Sequence, residues 1–502
     1  MGQTFTKLDW AIVGGYLVVV GALGSMFYRR RSSAPDYFLS GRKMKALPVA
    51  ISLVAADLSA ISYMGLPAWA FARNIELFLS TFSCIFVAPV VMYLFMPFYS
   101  RFKLFTGYQY LERRFDLKTR SLAASLFLLT RGSHVAIVIY APSLALAVIS
   151  GFPLYACVLI MGILTTAYTT LGGMKAVIWT DVLQFSILVL GMGTILYLSV
   201  SRIPAGLSTI INVARESGKL HLFNFSMDPS QLTSVWAMLI GGSFMVLSTW
   251  GTDQAYLQRY FTTKSLKDSR RSVLLDALIA IPVGLVLYLI GTVLYVYYHF
   301  SPDHLRGLPT ADAILPFFVV HEMGGAFSGL VIASIIAASM AVLSAGINSL
   351  TTVTCVDFYQ RLFHRDANDA RLVLVGRLGT IGWGLTATVG ALFVGRLGSV
   401  VNAFNLINSL LGGPILGIFL LGMLTRRAKG TGAVVGAAVG LLSVMLLQFK
   451  SPLSFYYFAL IGSVVSFGIG YLVSMIGPAP DQEKLRGLVQ GLDFREVNED
   501  VR

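Results

Sequence analysis

The 502-residue chain is 56% hydrophobic and only 12% charged, with a mean hydropathy of +0.74, which excludes a soluble globule and leaves an all-α polytopic membrane protein. Lysine and arginine number 38 against 24 acidic residues, a formal charge of +14. The basic residues sit in short connections between apolar runs, as cytoplasmic anchors do, so the charge does not mean nucleic-acid binding.

Hydropathy predicts about thirteen spans, near 8–28, 46–71, 77–99, 121–149, 154–171, 174–199, 233–250, 271–298, 326–360, 371–395, 399–424, 430–448 and 453–476. Met1 to Thr6 fits a loose myristoylation pattern, which a chain crossing many times does not need. The first apolar run has no basic leader and is expected to stay as a membrane helix. Arg29 to Arg31, Arg42, Lys43 and Lys45 put the first loop in the cytoplasm. The basic connections Arg101 to Arg120, Lys264 to Arg271, Arg361 to Arg371 and Arg426 to Lys429 fall on the same side if the N-terminus is outside and the C-terminus cytoplasmic. The expected location is the plasma (inner) membrane.

The second span, Leu47 to Phe71, carries Asp57 in its middle, small and hydroxyl residues around it (Ala55, Ser59, Ala60, Ser62) and a Gly65-Leu66-Pro67 break. A carboxylate at that depth is expensive and should face an aqueous cavity or a protein interior. A broken helix with free carbonyls at mid-membrane is a common transporter site; the alternative is a kinked packing helix with a satisfied acid.

Arg131 and His134 follow at i, i+3 on a later span. A guanidinium and an imidazole at that spacing suit an anionic or hydroxylated solute; the plainer reading is a snorkelling arginine and a hydrogen-bonded histidine. Asp181, after Thr180 and before Gln184, suits a cation or a helix cap. A second break is expected in 233–254, at Gly241-Gly242-Ser243 and Ser248 to Gln254. Two interrupted spans, each opening a run of five, suggest two repeats of opposite topology with a binding site between them. Asn402, Asn405 and Asn408 share one helical stripe, lining a solute path or bonding neighbouring helices. Cys84, Cys157 and Cys355 are isolated and read as packing residues. Pro478 to Arg502 reads as a polar cytoplasmic tail without chemistry.

DYFLSGRKM (36–44), VAADLSAISYMGLPAWAF (54–71), GGMKAVIWTDVLQ (172–184), WGTDQAYLQRY (250–260), AASMAVLSAGINSLTTVTCVDFY (337–359) and FNLINSLLGGP (404–414) resemble the sodium/solute symporter family over nearly the whole chain. VIYAPSLAL is similar to the branch carrying monocarboxylates, vitamins and iodide, and ILPFFVVHEMG to bacterial sialic acid transporters. The resemblance implies an inverted five-plus-five helix core. Its expected divisions are a leading helix and loop (1–45), a first repeat (46–199), an extracytoplasmic loop (200–232), a second repeat (233–424), accessory helices (425–476) and a tail (477–502).

It also implies a sodium site on the backbone oxygens of Ala55 and Leu58 with that of Ala338. Ala341 and Val342 stand where the family has two hydroxyls, and sodium wants hard oxygen ligands. Asp57, Ser334 on the face of Ala338, and Asp181 with Ser344 are the candidates to compensate. For the solute, the resemblance points to Ser59 and Ser62 after the break and to His134 at the position of the sialic acid branch's arginine, with Arg131 one turn earlier; Tyr63, Gln254 and Asn405 are the further solute candidates. The expected function is cation-coupled symport of a small organic anion or sugar-like solute by alternating access, with Na+ as coupling ion and no other cofactor. Proton coupling through Asp57, uncoupled movement and a transporter-like sensor stay open, although the short tail offers no output domain. An enzyme is not expected, since no zinc spacing, nucleophile elbow or phosphate loop is present.

Overall fold

Capping side chains set where the spans begin. Thr6 and Asp9 form a reciprocal capping box at the start of α1 (Lys7–Met26), satisfying two of the donors that a helix start leaves open. In chain order come α2 (Ala34–Leu39), α3 (Ala46–Asp57), α4 (Ala60–Ala72), a span Glu76–Arg101 containing α5 (Ser83–Val90) and α6 (Met96–Arg101), α7 (Tyr108–Arg114), α8 (Leu117–Ser150) and α9 (Leu154–Ser201). Then follow α10 (Leu207–Glu216), α11 (Gly242–Thr252), α12 (Gln254–Phe261), α13 (Leu266–Phe300), α14 (Ile314–His321) and α15 (Ala326–Val353). The last are α16 (Asp369–Val394), α17 (Val400–Leu424), α18 (Gly430–Lys450) and α19 (Tyr456–Ser474). The computed structural model describes residues 6–28, 33–204, 206–308, 310–395 and 400–490, without the side chains of 141, 145, 148–150 and 400–410. Among the described residues there is no strand.

Nine helices are long and apolar enough to cross a membrane, or ten with the bent pair α3–α4, among the described residues, where about thirteen spans were expected. α9 counts once, although Gly173 kinks it at φ 59°. A Cβ at Gly173 would lie 2.6 Å from the Tyr37 carbonyl oxygen, so both conformation and space require glycine. α15 is buried on every side from Val331 to Val353, as a central helix must be; it packs on α1, α8 and α9.

The first helix break lies elsewhere than expected, and the second falls within its expected stretch Ser248 to Gln254, not at the glycine pair. The first is a 64° bend between α3 and α4, at Leu58-Ser59, while Gly65, Leu66 and Pro67 lie inside α4. Pro67 removes one intrahelical donor, which a packed membrane helix tolerates. The chain restarts after Leu58 because the Ser59 hydroxyl accepts the Ser62 N–H at 3.4 Å and caps α4. In the second, Gly241 and Gly242 are helical, and the break falls at Asp253 (φ −75°, ψ 127°) between α11 and α12. Gly241 serves packing instead, for a Cβ there would meet the Tyr456 carbonyl oxygen at 2.6 Å.

α18 and α19 meet along a seam of small residues. Gly432, Gly436 and Gly440 face Gly462, Ser466, Gly470 and Ser474, and a Cβ at Gly436 would lie 2.3 Å from the Ser466 carbonyl oxygen. Such spacing lets helix backbones touch.

Around α7, charge does the joining. Arg120 donates to Asp357 and to Glu112, both at 2.6 Å, and Arg361 donates to Glu112 at 2.7 Å. Burial pushes the Glu112 carboxyl up, but Arg361 and Arg120 prevail and hold it below the ordinary carboxylate range. Arg114 donates to the carbonyls of Gly422, Thr425 and Ala428. The tail does not simply extend into solvent: Leu485, Leu488 and Val489 are buried, and the Tyr110 hydroxyl donates to the Leu488 carbonyl at 2.9 Å.

Candidate solute and cation site

The two breaks open onto one cavity of about 120 Å³. Asp57 ends α3 and is exposed to it, and Ser59, the cap of α4, lines it as well. α8 contributes Arg131 and His134, which are one turn apart and therefore share a face. α11 and α12 contribute Thr249, Thr252 and Tyr256, with Asp253 between them.

The polar groups of this cavity have defined roles. Arg131 pairs with the carboxylate of Asp253, whose other oxygen accepts the Ala255 N–H at 2.8 Å. Arg131 also lies 3.1 Å from His134 Nδ1. A guanidinium only donates, so Nδ1 accepts and the ring proton sits on Nε2. Thr130, Thr249 and Thr252 spend their hydroxyl protons on the carbonyls of Leu126, Met245 and Ser248. Their oxygens are left as acceptors. The cavity therefore offers the Arg131 guanidinium on the α8 wall and acceptors on Asp57 and the threonines, while His134 Nε2 is buried.

Asp181 belongs to a second cluster, fully buried. Its Oδ2 accepts from Ser52 at 2.5 Å and from Arg259 at 2.8 Å, and Arg259 also donates to Ser52 at 2.7 Å. Ser344 Oγ lies 3.4 Å from Asp181 Oδ1 and 3.0 Å from the Ala341 carbonyl oxygen. The structure thus brings Asp181 and Ser344 together, but with a guanidinium already on the carboxylate.

The remaining expected residues divide. Ala55 and Ala338 are buried and Leu58 half-buried; Ala55 and Leu58 stand at the C-terminal end of α3, where a helix leaves its last carbonyls without intrahelical partners. Ala341 and Val342 are buried and offer no side-chain oxygen. Ser334 and Tyr63 bond each other at 2.9 Å in a niche that needs Gly191, where a Cβ would lie 2.3 Å from Ser334 Oγ. Ser62 gives its N–H to the Ser59 hydroxyl. Neither Ser62, Tyr63 nor Gln254 is among the cavity residues. Gln254 is fully buried and acts as an anchor: its amide donates to the Phe105 carbonyl at 2.8 Å and accepts the Gly107 N–H at 3.0 Å. Asn402, Asn405 and Asn408 have side chains outside the described residues. Cys84, Cys157 and Cys355 are buried.

Sequence reasoning missed Asp253 and Arg259. Both lie in WGTDQAYLQRY, and an acid in the second break carries the same signal as Asp57 in the first. Arg259 had no such signal, because its partner lies 78 residues away on another helix.

Comparison with known proteins agrees over most of the chain. The family model described as Sodium:solute symporter family matches residues 37–440. The chain is 30% identical to the sodium/sialic acid symporter SiaT of Proteus mirabilis, covering 92% of this chain and 93% of that protein. It is 31% identical to the human sodium-coupled monocarboxylate transporter 1, covering 87% of this chain and 72% of that protein. A solved structure of a Na+-coupled sialic acid symporter in a substrate-bound outward-open state superimposes with a TM-score of 0.88 at 29% identity, over 95% of this chain and 100% of that one.

Proposed function

Since this chain belongs to the sodium:solute symporter family, a family of transporters rather than enzymes, we propose that it carries out sodium-coupled symport of a small hydroxylated organic anion. The solute sits in the cavity between the two breaks, and access alternates around it. The observation that carries the proposal is the pairing of donors and acceptors there. Arg131, backed by His134, suits a carboxylate, while Asp57 and the oxygens of Thr130, Thr249 and Thr252 suit hydroxyl or amide donors on the same molecule. The named relatives, which couple sodium to sialic acid or to monocarboxylates, support both the ion and the anionic class.

The coupling ion is sodium, held near the carbonyls of Ala55, Leu58 and Ala338 with the charge of Asp57. Thirteen spans are supported if α9 is divided at Gly173, α3–α4 is one span, and Ala237–Thr252 and α17 join the other eight. Residues 46–199 and 233–424 are then the two repeats, and the N-terminus is outside and the C-terminus inside the plasma membrane.

Uptake into proteoliposomes tests this. An inward sodium gradient should drive accumulation of a sialic acid or a short monocarboxylate, and choline in place of sodium should abolish it. Uptake driven by a pH gradient and indifferent to sodium would overturn the coupling.

A further inference from the structure

The function above leaves one buried acid unused. Asp276, on α13, is 2% exposed, and its Oδ2 has no hydrogen-bond partner among the described residues. The hydroxyls of Tyr256 and Tyr260, one turn apart on α12 and each on a residue 2% exposed, are likewise without partners there. These orphans are close to one another. Asp276 lies within electrostatic reach of Asp57 and Arg259, Tyr256 of Asp57 and Asp276, and Tyr260 of Asp276. The Tyr256 hydroxyl faces the Asp57 carboxylate without reaching hydrogen-bond geometry.

The charge around them does not balance. Four carboxylates, Asp57, Asp181, Asp253 and Asp276, share two guanidiniums: Arg131 is spent on Asp253, and Arg259 on Asp181 at 2.8 Å. Negative charge inside a membrane protein is costly unless matched, and buried polar atoms are nearly always satisfied. One partner answers both demands: a monovalent cation takes oxygen lone pairs from carboxylates and hydroxyls together and supplies the missing charge. Hard oxygen ligands favour sodium over softer ions.

We propose that Asp276, Asp57 and the hydroxyls of Tyr256 and Tyr260 form a sodium-binding site on the α12–α13 side of the first break, a site that rests on the sodium-coupled reading above. Because Asp57 and Tyr256 also line the solute cavity, an ion bound here changes the charge that the solute meets, which links the two.

Radiolabelled sodium binding to the purified full-length chain, without solute and at constant pH, is the test. Wild type should bind sodium saturably. Asp276→Asn should weaken it by about tenfold or more, a loss no smaller than that of an outer-shell partner, and Tyr260→Phe should weaken it to a lesser degree. If Asp276→Asn does not elute as a monodisperse protein, Tyr260→Phe and Tyr256→Phe decide. Sodium binding that is unchanged in the variants overturns this site and leaves the proposed symport standing. A wild type that binds no sodium overturns both.

Discussion

Asp253→Asn probes the central charge of the cavity. In the solute-free protein Asp253 holds Arg131, with side chains 19% and 8% exposed. Removing the charge leaves Arg131 facing a neutral amide, which still caps α12 through its oxygen. A buried pair broken on one side costs about 3–5 kcal/mol and an exposed one about 1 kcal/mol or less. For this partly cavity-facing pair we take about 2 kcal/mol. The variant should therefore melt earlier without solute. An anionic solute no longer has to displace Asp253, so it should recover that energy and bind roughly 30-fold more tightly, whereas a neutral sugar should recover none. Thermal stabilisation of wild type and variant, titrated with organic acids and with neutral sugars, gives the answer. Loss of anion binding in the variant, or equal gains for acids and neutral sugars, would refute the reasoning.

Three further outcomes follow from other contacts. Asp181→Asn should destabilise the protein by about 3–5 kcal/mol, because it strands a buried guanidinium, while adding Arg259→Gln should cost less than the sum; additive losses in denaturation would show that the two do not interact. Gln254→Leu orphans the Phe105 carbonyl and the Gly107 N–H and should cost about 2–4 kcal/mol with solute affinity unchanged; an altered dissociation constant at unchanged stability would put the amide in the cavity. The Glu112 carboxyl, held below its ordinary 4.5 by Arg361 and Arg120 against its burial, adds stability that is present above that value and lost as pH falls through the lower folded one. Melting temperature from about pH 5 to pH 3 should thus fall less steeply in Glu112→Gln than in wild type; parallel curves would exclude this carboxyl as the cause.

Spans were legible because hydrophobic length is a local property: α13 was expected at 271–298 and runs Leu266–Phe300. The breaks were less so. Gly65-Leu66-Pro67 carries the usual breaker residues, yet what decides a break is whether the freed backbone finds a partner, and the serine that supplies one is Ser59. Asp57, Ser59, Arg131 and His134 were singled out as polar residues inside apolar spans, and the fold gathers them around one cavity. Gln254 looked equivalent to them in sequence. Its role depends on where the 105–107 loop passes, a contact 147 residues apart along the chain. Asp276 was overlooked because it falls near the start of a long apolar helix, where an acid reads as interfacial; only its burial in the folded chain shows it enclosed.

The seam between α18 and α19 has a consequence for how this chain tolerates change. Backbone-to-backbone contact at Gly436 leaves no room even for a methyl group, so the seam cannot adapt one residue at a time. In a saturation mutagenesis screen Gly432, Gly436 and Gly440 should accept almost nothing, although they touch neither ion nor solute. Natural variation at this edge of the molecule must come in compensating pairs, or not at all.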